Sequence, residues 1–265
     1  MNSLMLLQQT HLSGLCVMSG TLGAILGSFL GVVAERIPPL VMEEEGAGNL
    51  LFPASHCPAC NHSLSAWENI PVISWCALRG RCRHCHTSIP LRLLLVEVFS
   101  ATFFAISAAL APSFSALIAL WVMWSLLLPL VVIDARHMLL PDCLTQPLLW
   151  SGLVLHAWFH TLPLTDAVYG AVAGYLSLWS VYWAFRLLTG REGLGYGDFK
   201  LLAALGAWCG WQAIPSILLI AALGGIIVHV LLKPFENKNT LISFGPYLAF
   251  SGLAIFMAKN VAFIF

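Results

Sequence analysis

The chain carries eight long apolar runs, and most have the length of a helix that crosses a lipid bilayer. They lie at about residues 12–34, 93–111, 114–133, 144–161, 165–188, 199–211, 213–232 and 243–264. A crossing requires roughly 17 to 25 residues, and only the sixth run, rich in Gly and Ala, is clearly shorter. With 59% hydrophobic and 9% charged residues, the 265-residue chain cannot cover a water-soluble globule. We therefore expect an all-α polytopic membrane protein with about eight transmembrane helices, surrounded by membrane lipids.

The distribution of Lys and Arg predicts the orientation of these helices. If both termini lie outside, eleven of the twelve basic residues fall on the cytoplasmic side, leaving only Lys259 near the far side. The same assignment places the one long polar insert, residues 35–92, in the cytoplasm. The formal net charge of the chain is zero, so electrostatics gives no reason to expect a nucleic-acid partner.

The polar insert contains two CxxC knuckles separated by 21 residues, a spacing that lets four thiolates close around one metal ion. Two disulfides are the alternative, but a cytoplasmic loop lies in a reducing compartment, which favours a metal. Four cysteine ligands leave no open position, so we expect a structural Zn²⁺ that lets a small insert fold with almost no core. The predicted ligands are Cys57, Cys60, Cys82 and Cys85. The flanking histidines could replace a ligand, although solvated surface is their expected role: His56, His62, His84 and His86.

Two aspartates lie where apolar runs meet polar segments. Asp198 follows the alternating glycines of residues 193–197, and Asp134 ends the third run. Ionisable residues at such positions are functional candidates by default. We expect Gly195 and Gly197 to form an active-site turn, because glycine permits positive φ and close approach of the backbone. Each aspartate alone could merely cap a helix, but the pair predicts acid/base chemistry on a bond held at the membrane edge.

Two carboxylates can hydrolyse an amide when one is ionised and the other is protonated. The ionised group takes a proton from water, and the protonated group polarises the carbonyl and then serves the leaving amine. Asp198 precedes an apolar helix whose amino-terminal dipole favours an anion, which favours Asp198 as the base and Asp134 as the acid. Asp142 is the rival partner, but its position after Pro141 predicts a helix N-cap.

Several segments together resemble a known family. The match covers most of the chain and includes the paired knuckles, Asp134 with residues 140–142, and the residues 195–198, which read Gly-Tyr-Gly-Asp. Further matching segments are Gly27-Ser28-Phe29-Leu30, Asn69-Ile70-Pro71-Val72, Gly80-Arg81-Cys82, Val96-Glu97 and Phe244-Gly245-Pro246. The chain resembles the bacterial type IV prepilin peptidases, which are membrane aspartyl proteases of the GxGD type.

The resemblance implies cleavage of the basic leader from prepilins and pseudopilins at the cytoplasmic face of the bacterial inner membrane, with both termini periplasmic. It further implies methylation of the new amino terminus from S-adenosylmethionine, in the service of type IV pili or type II secretion. The expected domains are a first span (1–34), a zinc-binding and methyltransferase-linked insert (35–92) and a seven-span protease core (93–265).

Two readings from other functional classes stay open on the sequence. A proton-coupled transporter would also place carboxylates among helices, but the chain shows no paired broken spans or internal repeat. A zinc-bearing membrane scaffold would explain the insert and leave the glycine turn without a role. Conversion of a prepilin to a shortened product by the purified protein would separate these alternatives.

Overall fold

The structure is a computed structural model, and it describes residues 2–43, 49–50, 54–191, 193–232 and 243–261. In these ranges the chain forms nine α-helices, two short 3₁₀ helices at Ala66–Asn69 and Trp211–Ala213, and no strand beyond two isolated bridges. The helices are α1 (Asn2–Val41), α2 (Ile73–Ala77), α3 (Leu91–Leu110), α4 (Phe114–His137), α5 (Asp142–Phe159), α6 (Leu164–Thr189), α7 (Tyr196–Cys209), α8 (Ile214–Leu232) and α9 (Gly245–Val261).

Each of the eight apolar runs forms one helix. α1 continues into the polar insert as far as Val41, and α2 is the one described α-helix that lies wholly within the insert. Four stretches are long and apolar enough to cross a membrane: Leu12–Val41, Leu91–Leu110, Phe114–His137 and Trp211–Leu231. The expectation of an all-α membrane protein is therefore confirmed. Crossing by all eight helices stays a prediction, because the other four are shorter or more polar.

Proline and left-handed residues mark several helix ends. Pro90, Pro141 and Pro163 stand directly before α3, α5 and α6. Their fixed φ and missing N–H suit the start of a helix, where the amide has no intrahelical acceptor. Gly190 ends α6 with a φ of 67°, a left-handed conformation that glycine adopts without steric cost.

Contacts divide the chain into two compact units, Met1–Leu117 and Ile118–Phe265. In the first unit α1 packs against α3 through small residues. A Cβ at Gly27 would lie 2.9 Å from the Cα of Glu97, and one at Gly23 would lie 2.5 Å from the Ser100 carbonyl oxygen. Glycine at these two positions lets the helix backbones approach closely, as is common in membrane proteins.

In the second unit the short helix α7 is enclosed by α5, α6 and α9. Eleven of its fourteen residues are buried, from Asp198 near its start to Cys209 at its end. Glycines of α6 make this enclosure possible, because Gly170 contacts the backbone of Gly206 and Gly174 contacts the backbone of Leu202. A helix buried on all sides is the expected result of a sequence that is apolar all round.

The carboxyl end of α7 is held by polar side chains from two neighbouring helices. The last carbonyls of a helix lack intrahelical partners, and leaving them unpaired in an apolar environment is costly. Lys259 of α9 donates to the Cys209 carbonyl oxygen at 2.7 Å. His156 of α5 lies with its Nε2 3.0 Å from the Trp208 carbonyl oxygen. These contacts anchor α7 at the end opposite Asp198.

We predict that Gly170→Ala destabilises the second unit. The added Cβ would overlap the Gly206 carbonyl, and overpacking of this kind typically costs about 1 to 3 kcal/mol. The measurement is the thermal unfolding midpoint of the detergent-solubilised protein, which should fall by several degrees. Gly14→Ala is the matched control, since no atom lies within 4 Å of its added Cβ. Equal midpoints for the two variants would contradict the close packing of α6 on α7.

Candidate active site and metal centre

Asp134 lies near the carboxyl end of α4 and is 5% exposed. Its Oδ2 accepts a hydrogen bond from the backbone N–H of Gly245, the first residue of α9, at 3.0 Å. That amide is one of the unpaired donors at a helix start, so Asp134 satisfies the amino terminus of a helix 111 residues away in sequence. A Cβ at position 245 would lie 2.5 Å from the same oxygen, which explains the need for glycine there.

Asp198 is the third residue of α7 and is 8% exposed. Gly195 stands at the N-cap position, and the Asp198 amide donates to its carbonyl oxygen at 3.2 Å. The carboxylate therefore lies in the first turn, as the sequence predicted. There the helix dipole favours a negative charge.

The structure brings the two predicted aspartates together. Asp134 is close enough to act electrostatically on Asp198, although 64 residues separate them. Leu140, in the turn after α4, lies between the two sites. A Cβ at Gly197 would lie 2.7 Å from the Leu140 Cβ, and one at Gly245 would lie 3.3 Å from the Leu140 Cδ1. The sequence alone gave no role to Leu140 or Gly245. The one local signal for Gly245 was its place before Pro246 at the start of an apolar run.

The expected role of positive φ in the glycine turn is wrong. Among the described glycines only Gly80, Gly190 and Gly210 have positive φ, and Gly195 has a φ of −78°. Glycine is needed at position 197 for a different reason, because the backbone of Gly197 packs closely against the Leu140 side chain. At Gly195 an added Cβ would make only an ordinary contact, 3.5 Å from an oxygen of Asp198.

The expectation that Asp142 caps α5 is also wrong. The N-cap residue is Pro141, and Asp142 begins the helix without a capping hydrogen bond. The Lys200 Nζ donates hydrogen bonds to both carboxylate oxygens of Asp142, at 2.6 and 2.8 Å. The Asp142 side chain is 61% exposed, in contrast to the buried pair. It therefore links the start of α5 to the start of α7 at the surface.

An aromatic cluster that the sequence did not reveal supports the turn before Asp198. Tyr196 donates from its hydroxyl to the hydroxyl of the buried Tyr182 at 3.2 Å. Arg186 donates to the same oxygen at 3.0 Å. Phe199 packs edge-on against both tyrosine rings. Tyr182 lies inside a continuous apolar run, where no local pattern distinguishes it from a lipid-facing residue.

The metal centre is built from two knuckles with the same backbone pattern. In the first, the Cys57 amide donates to the His62 carbonyl oxygen and the Asn61 amide donates to the Cys57 carbonyl oxygen. In the second, the Cys82 amide donates to the Thr87 carbonyl oxygen and the His86 amide donates to the Cys82 carbonyl oxygen. Asn61 and His86, each directly after a knuckle's second cysteine, both have a φ of 55°. Each knuckle is thus a tight turn that presents two thiols on one side.

The four predicted cysteines form one cluster, with all four sulfur atoms within 4.8 Å of one another. The Cys57 and Cys85 sulfurs are 3.7 Å apart, and those of Cys60 and Cys82 are 4.0 Å apart. Four sulfurs around a tetrahedral zinc at about 2.3 Å would stand about 3.8 Å apart. The donor set therefore fits Zn²⁺. No described histidine belongs to the cluster. The rings of His62 and His84 instead contact each other, with their centroids 3.6 Å apart and their planes tilted by 38°.

The electrostatics of the cluster also favours a cation. Hydrogen bonds with the Thr87 side chain and backbone lower the pKa of the Cys85 thiol to about 6. The pKa of Cys60 is raised to about 12, because desolvation and the other three thiols outweigh a backbone hydrogen bond from His62 that lowers it. Four thiols this close cannot all ionise unless a cation compensates their charge.

Comparison with known proteins places both sites in one family. The pattern of the Bacterial Peptidase A24 N-terminal domain matches residues 21–111, and that of the Type IV leader peptidase family matches residues 121–230. The first range includes the four cysteines, and the second includes both aspartates.

The chain is also similar to curated proteins along most of its length. A prepilin leader peptidase/N-methyltransferase of Aeromonas salmonicida is 47% identical, covering 86% of this chain and 85% of that protein. Proteins of the same name from Aeromonas hydrophila and Pectobacterium carotovorum are 49% and 45% identical, covering 86% and 88% of this chain and 85% and 90% of their own lengths. No solved structure matches. The chain belongs to the type IV leader peptidase family.

Proposed function

We propose that the protein cleaves the leader peptide from prepilins or pseudopilins and then methylates the new amino terminus. The observation that carries the proposal is the buried pair Asp134 and Asp198, which lies within the residues matched by the type IV leader peptidase family. The relatives' shared name, prepilin leader peptidase/N-methyltransferase, supports both activities. The pilins of type IV pili or type II secretion are the corresponding substrates.

Asp134 and Asp198 are the proposed catalytic residues, sharing one proton. The ionised carboxylate takes a proton from water, whose oxygen attacks the carbonyl carbon of the leader bond. The protonated carboxyl gives its proton to the carbonyl oxygen, which forms a tetrahedral diol. The other carboxyl, which now holds the water's proton, protonates the leaving amine as the C–N bond breaks, and the first carboxylate takes a proton back from the diol. Repulsion between two nearby negative charges favours this singly protonated state.

The helix dipole does not assign the two roles. Asp198 lies in the first turn of α7, which favoured it as the base when only the sequence was considered. Asp134, however, contacts the amino terminus of α9 through Gly245, so both carboxylates face positive helix ends. We therefore treat the pair as one titrating unit whose proton is shared.

The proposed cofactors are a structural Zn²⁺ and S-adenosylmethionine. Zinc would be held by Cys57, Cys60, Cys82 and Cys85, with no ligand position left for catalysis. S-adenosylmethionine would supply the methyl group, and we assign its binding to the cytoplasmic insert of residues 35–92. The proposed location is the bacterial inner membrane, with the termini periplasmic and both sites at the cytoplasmic face.

We predict that Asp134→Asn and Asp198→Asn each abolish leader cleavage. Asparagine keeps the volume and can still accept a hydrogen bond from Gly245, but it can neither ionise nor deliver a carboxyl proton. In a mechanism that needs both groups, either loss should lower the rate at least about 10³-fold. The measurement is conversion of a purified prepilin to its shortened form.

Asp142→Asn is the matched control, because its carboxylate is exposed and paired with Lys200. It should keep most of the activity, since an exposed ion pair contributes little to stability. An inactive Asp142→Asn variant together with an active Asp134→Asn variant would contradict Asp134 and Asp198 as the catalytic pair.

Methylation of an already cleaved pilin should continue in Asp198→Asn.

We predict that Gly245→Ala impairs cleavage by displacing the Asp134 carboxylate. The new Cβ would lie 2.5 Å from Oδ2, so either the carboxylate or the start of α9 must shift. Misplacement of a catalytic group by about 1 Å can cost 10²-fold in rate. The comparison is with Gly224→Ala in α8, whose Cβ would make an ordinary 3.5 Å contact with Tyr247. Equal kcat values would contradict the role of Gly245.

We predict that Cys57→Ser or Cys82→Ser removes the zinc and damages methylation more than cleavage. Metal binding supplies most of the folding free energy of so small a module, whereas both aspartates lie in the other unit. Metal analysis should find about one zinc per chain in the unaltered protein and in Cys76→Ser, an exposed cysteine outside the cluster. A Cys57→Ser protein that methylates a pre-cleaved pilin normally but loses cleavage would reverse the assignment.

A further inference from the structure

The insert has a basic pocket beside its second knuckle. The pocket has a volume of about 450 Å³ and is lined by four basic side chains over the apolar side chains of Ala77 and Leu78. The basic residues are Arg79, Arg81, Arg83 and His86. Cys82 of the metal centre also lines the pocket, and none of the described lining residues carries a carboxylate. A concave surface with this charge attracts anions.

Among the described residues, most of these basic side chains have no carboxylate partner. Within the described chain no carboxylate forms an ion pair with Arg79 or Arg81, whereas Arg92 pairs with Glu35 at 2.9 Å. Glu68 acts electrostatically on Arg83, but its carboxylate is already engaged. Hydrogen bonds from the Ser65 hydroxyl and amide hold it and keep the pKa of Glu68 below its usual range. In the part of the chain that the structure describes, Arg79 and Arg81 thus have no carboxylate partner, which leaves them suited to an external anion.

Large apolar side chains border the basic pocket. Ile73 is 65% exposed and stands one helical turn before Ala77, so both side chains lie on the same face of α2. Trp67 is 41% exposed, and the Arg83 guanidinium lies over its ring at 5.3 Å. Arginine beside exposed tryptophan and isoleucine is the composition of surfaces that bind at a membrane interface.

A hydrogen bond attaches the start of α2 to α3, a helix that is long and apolar enough to cross a membrane. The Val72 amide donates to the Glu97 carboxylate at 2.7 Å, and Val72 has a φ of 61°, which is rare for a β-branched residue. Glu97 lies six residues into α3, about 9 Å along the helix at 1.5 Å per residue. The 20 residues of α3 are just enough for one crossing. Ile73, directly after Val72, is thus held beside the second turn of α3.

We propose that this surface of the insert, formed by the basic pocket with Trp67 and Ile73, docks on the anionic phospholipid headgroups of the bilayer that α1 and α3 cross. Arginines bind phosphate oxygens in pairs of hydrogen bonds, and the two apolar side chains enter the boundary between headgroups and acyl chains. The net positive charge of S-adenosylmethionine does not match a pocket lined by arginines, so the methyl donor of the proposed function would bind elsewhere in the insert. Docking would fix the zinc module against the membrane surface.

Hydrogen exchange of the full-length protein in lipid nanodiscs tests the proposal. The two lipid mixtures are phosphatidylcholine alone and phosphatidylcholine with roughly 30% phosphatidylglycerol, a share that gives the surface a negative charge. Amides of residues 67–86 should exchange more slowly in the mixture that contains phosphatidylglycerol. Each arginine near an anionic surface strengthens association about fivefold, so Arg79→Gln with Arg81→Gln should remove most of the added protection. Arg191→Gln, an exposed arginine of the other unit, is the matched control and should leave it unchanged.

Three results of the exchange experiment would overturn the proposal: equal exchange in the two lipid mixtures, full protection in the double arginine variant, or equal protection by inorganic phosphate added to neutral nanodiscs. The last would identify a free-anion site. If the double variant also speeds exchange in residues 54–65, its fold is disturbed, and Ile73→Ser replaces it, with the same loss of lipid-dependent protection expected. A photoreactive amino acid at position 73 should crosslink to phospholipid, and absence of a lipid adduct would equally contradict docking.

Discussion

The enclosure of α7 is the constraint on which the second unit depends. A helix with eleven buried residues must be surrounded by other helices, and its neighbours must approach closely enough to leave no voids. Gly170 and Gly174 of α6 permit this approach because a side chain there would meet the backbone of α7. The polar groups at the end of α7 then need partners from the same neighbours. His156 and Lys259 provide them.

The candidate active site is a product of helix ends. Asp134 lies at the end of α4, Asp198 at the start of α7 and Gly245 at the start of α9. Each helix start offers unpaired amides and a positive dipole end, which stabilise a buried carboxylate without a basic side chain. Leu140 occupies the space between Gly197 and Gly245, so both glycines are needed for packing. The two buried carboxylates are thereby held in one small region of the unit.

The first unit solves a different problem, that of folding a short polar insert. Among the described insert residues few large apolar side chains are buried, whereas Cys57 and Cys82 are. The two knuckles repeat the same hydrogen bonds and bring four thiols to one point. A metal bound in this cluster would replace the missing core. The contact between Val72 and Glu97 joins the insert to α3 and leaves Trp67 and Ile73 at the surface.

The sequence by itself determined the helices and the cysteine cluster, because both depend on local patterns. Apolar runs of membrane length must satisfy their backbone as helices, and CxxC spacing brings two thiols together within one turn. It also identified the two aspartates, since a carboxylate at the edge of an apolar run is unusual wherever it occurs. Only the tertiary structure decided what surrounds them. Asp142 has the local signature of an N-cap but meets Lys200, and Asp134 meets an amide 111 residues away. Such meetings depend on how helices pack, and packing is set by side-chain volumes that have no periodic signal in the chain.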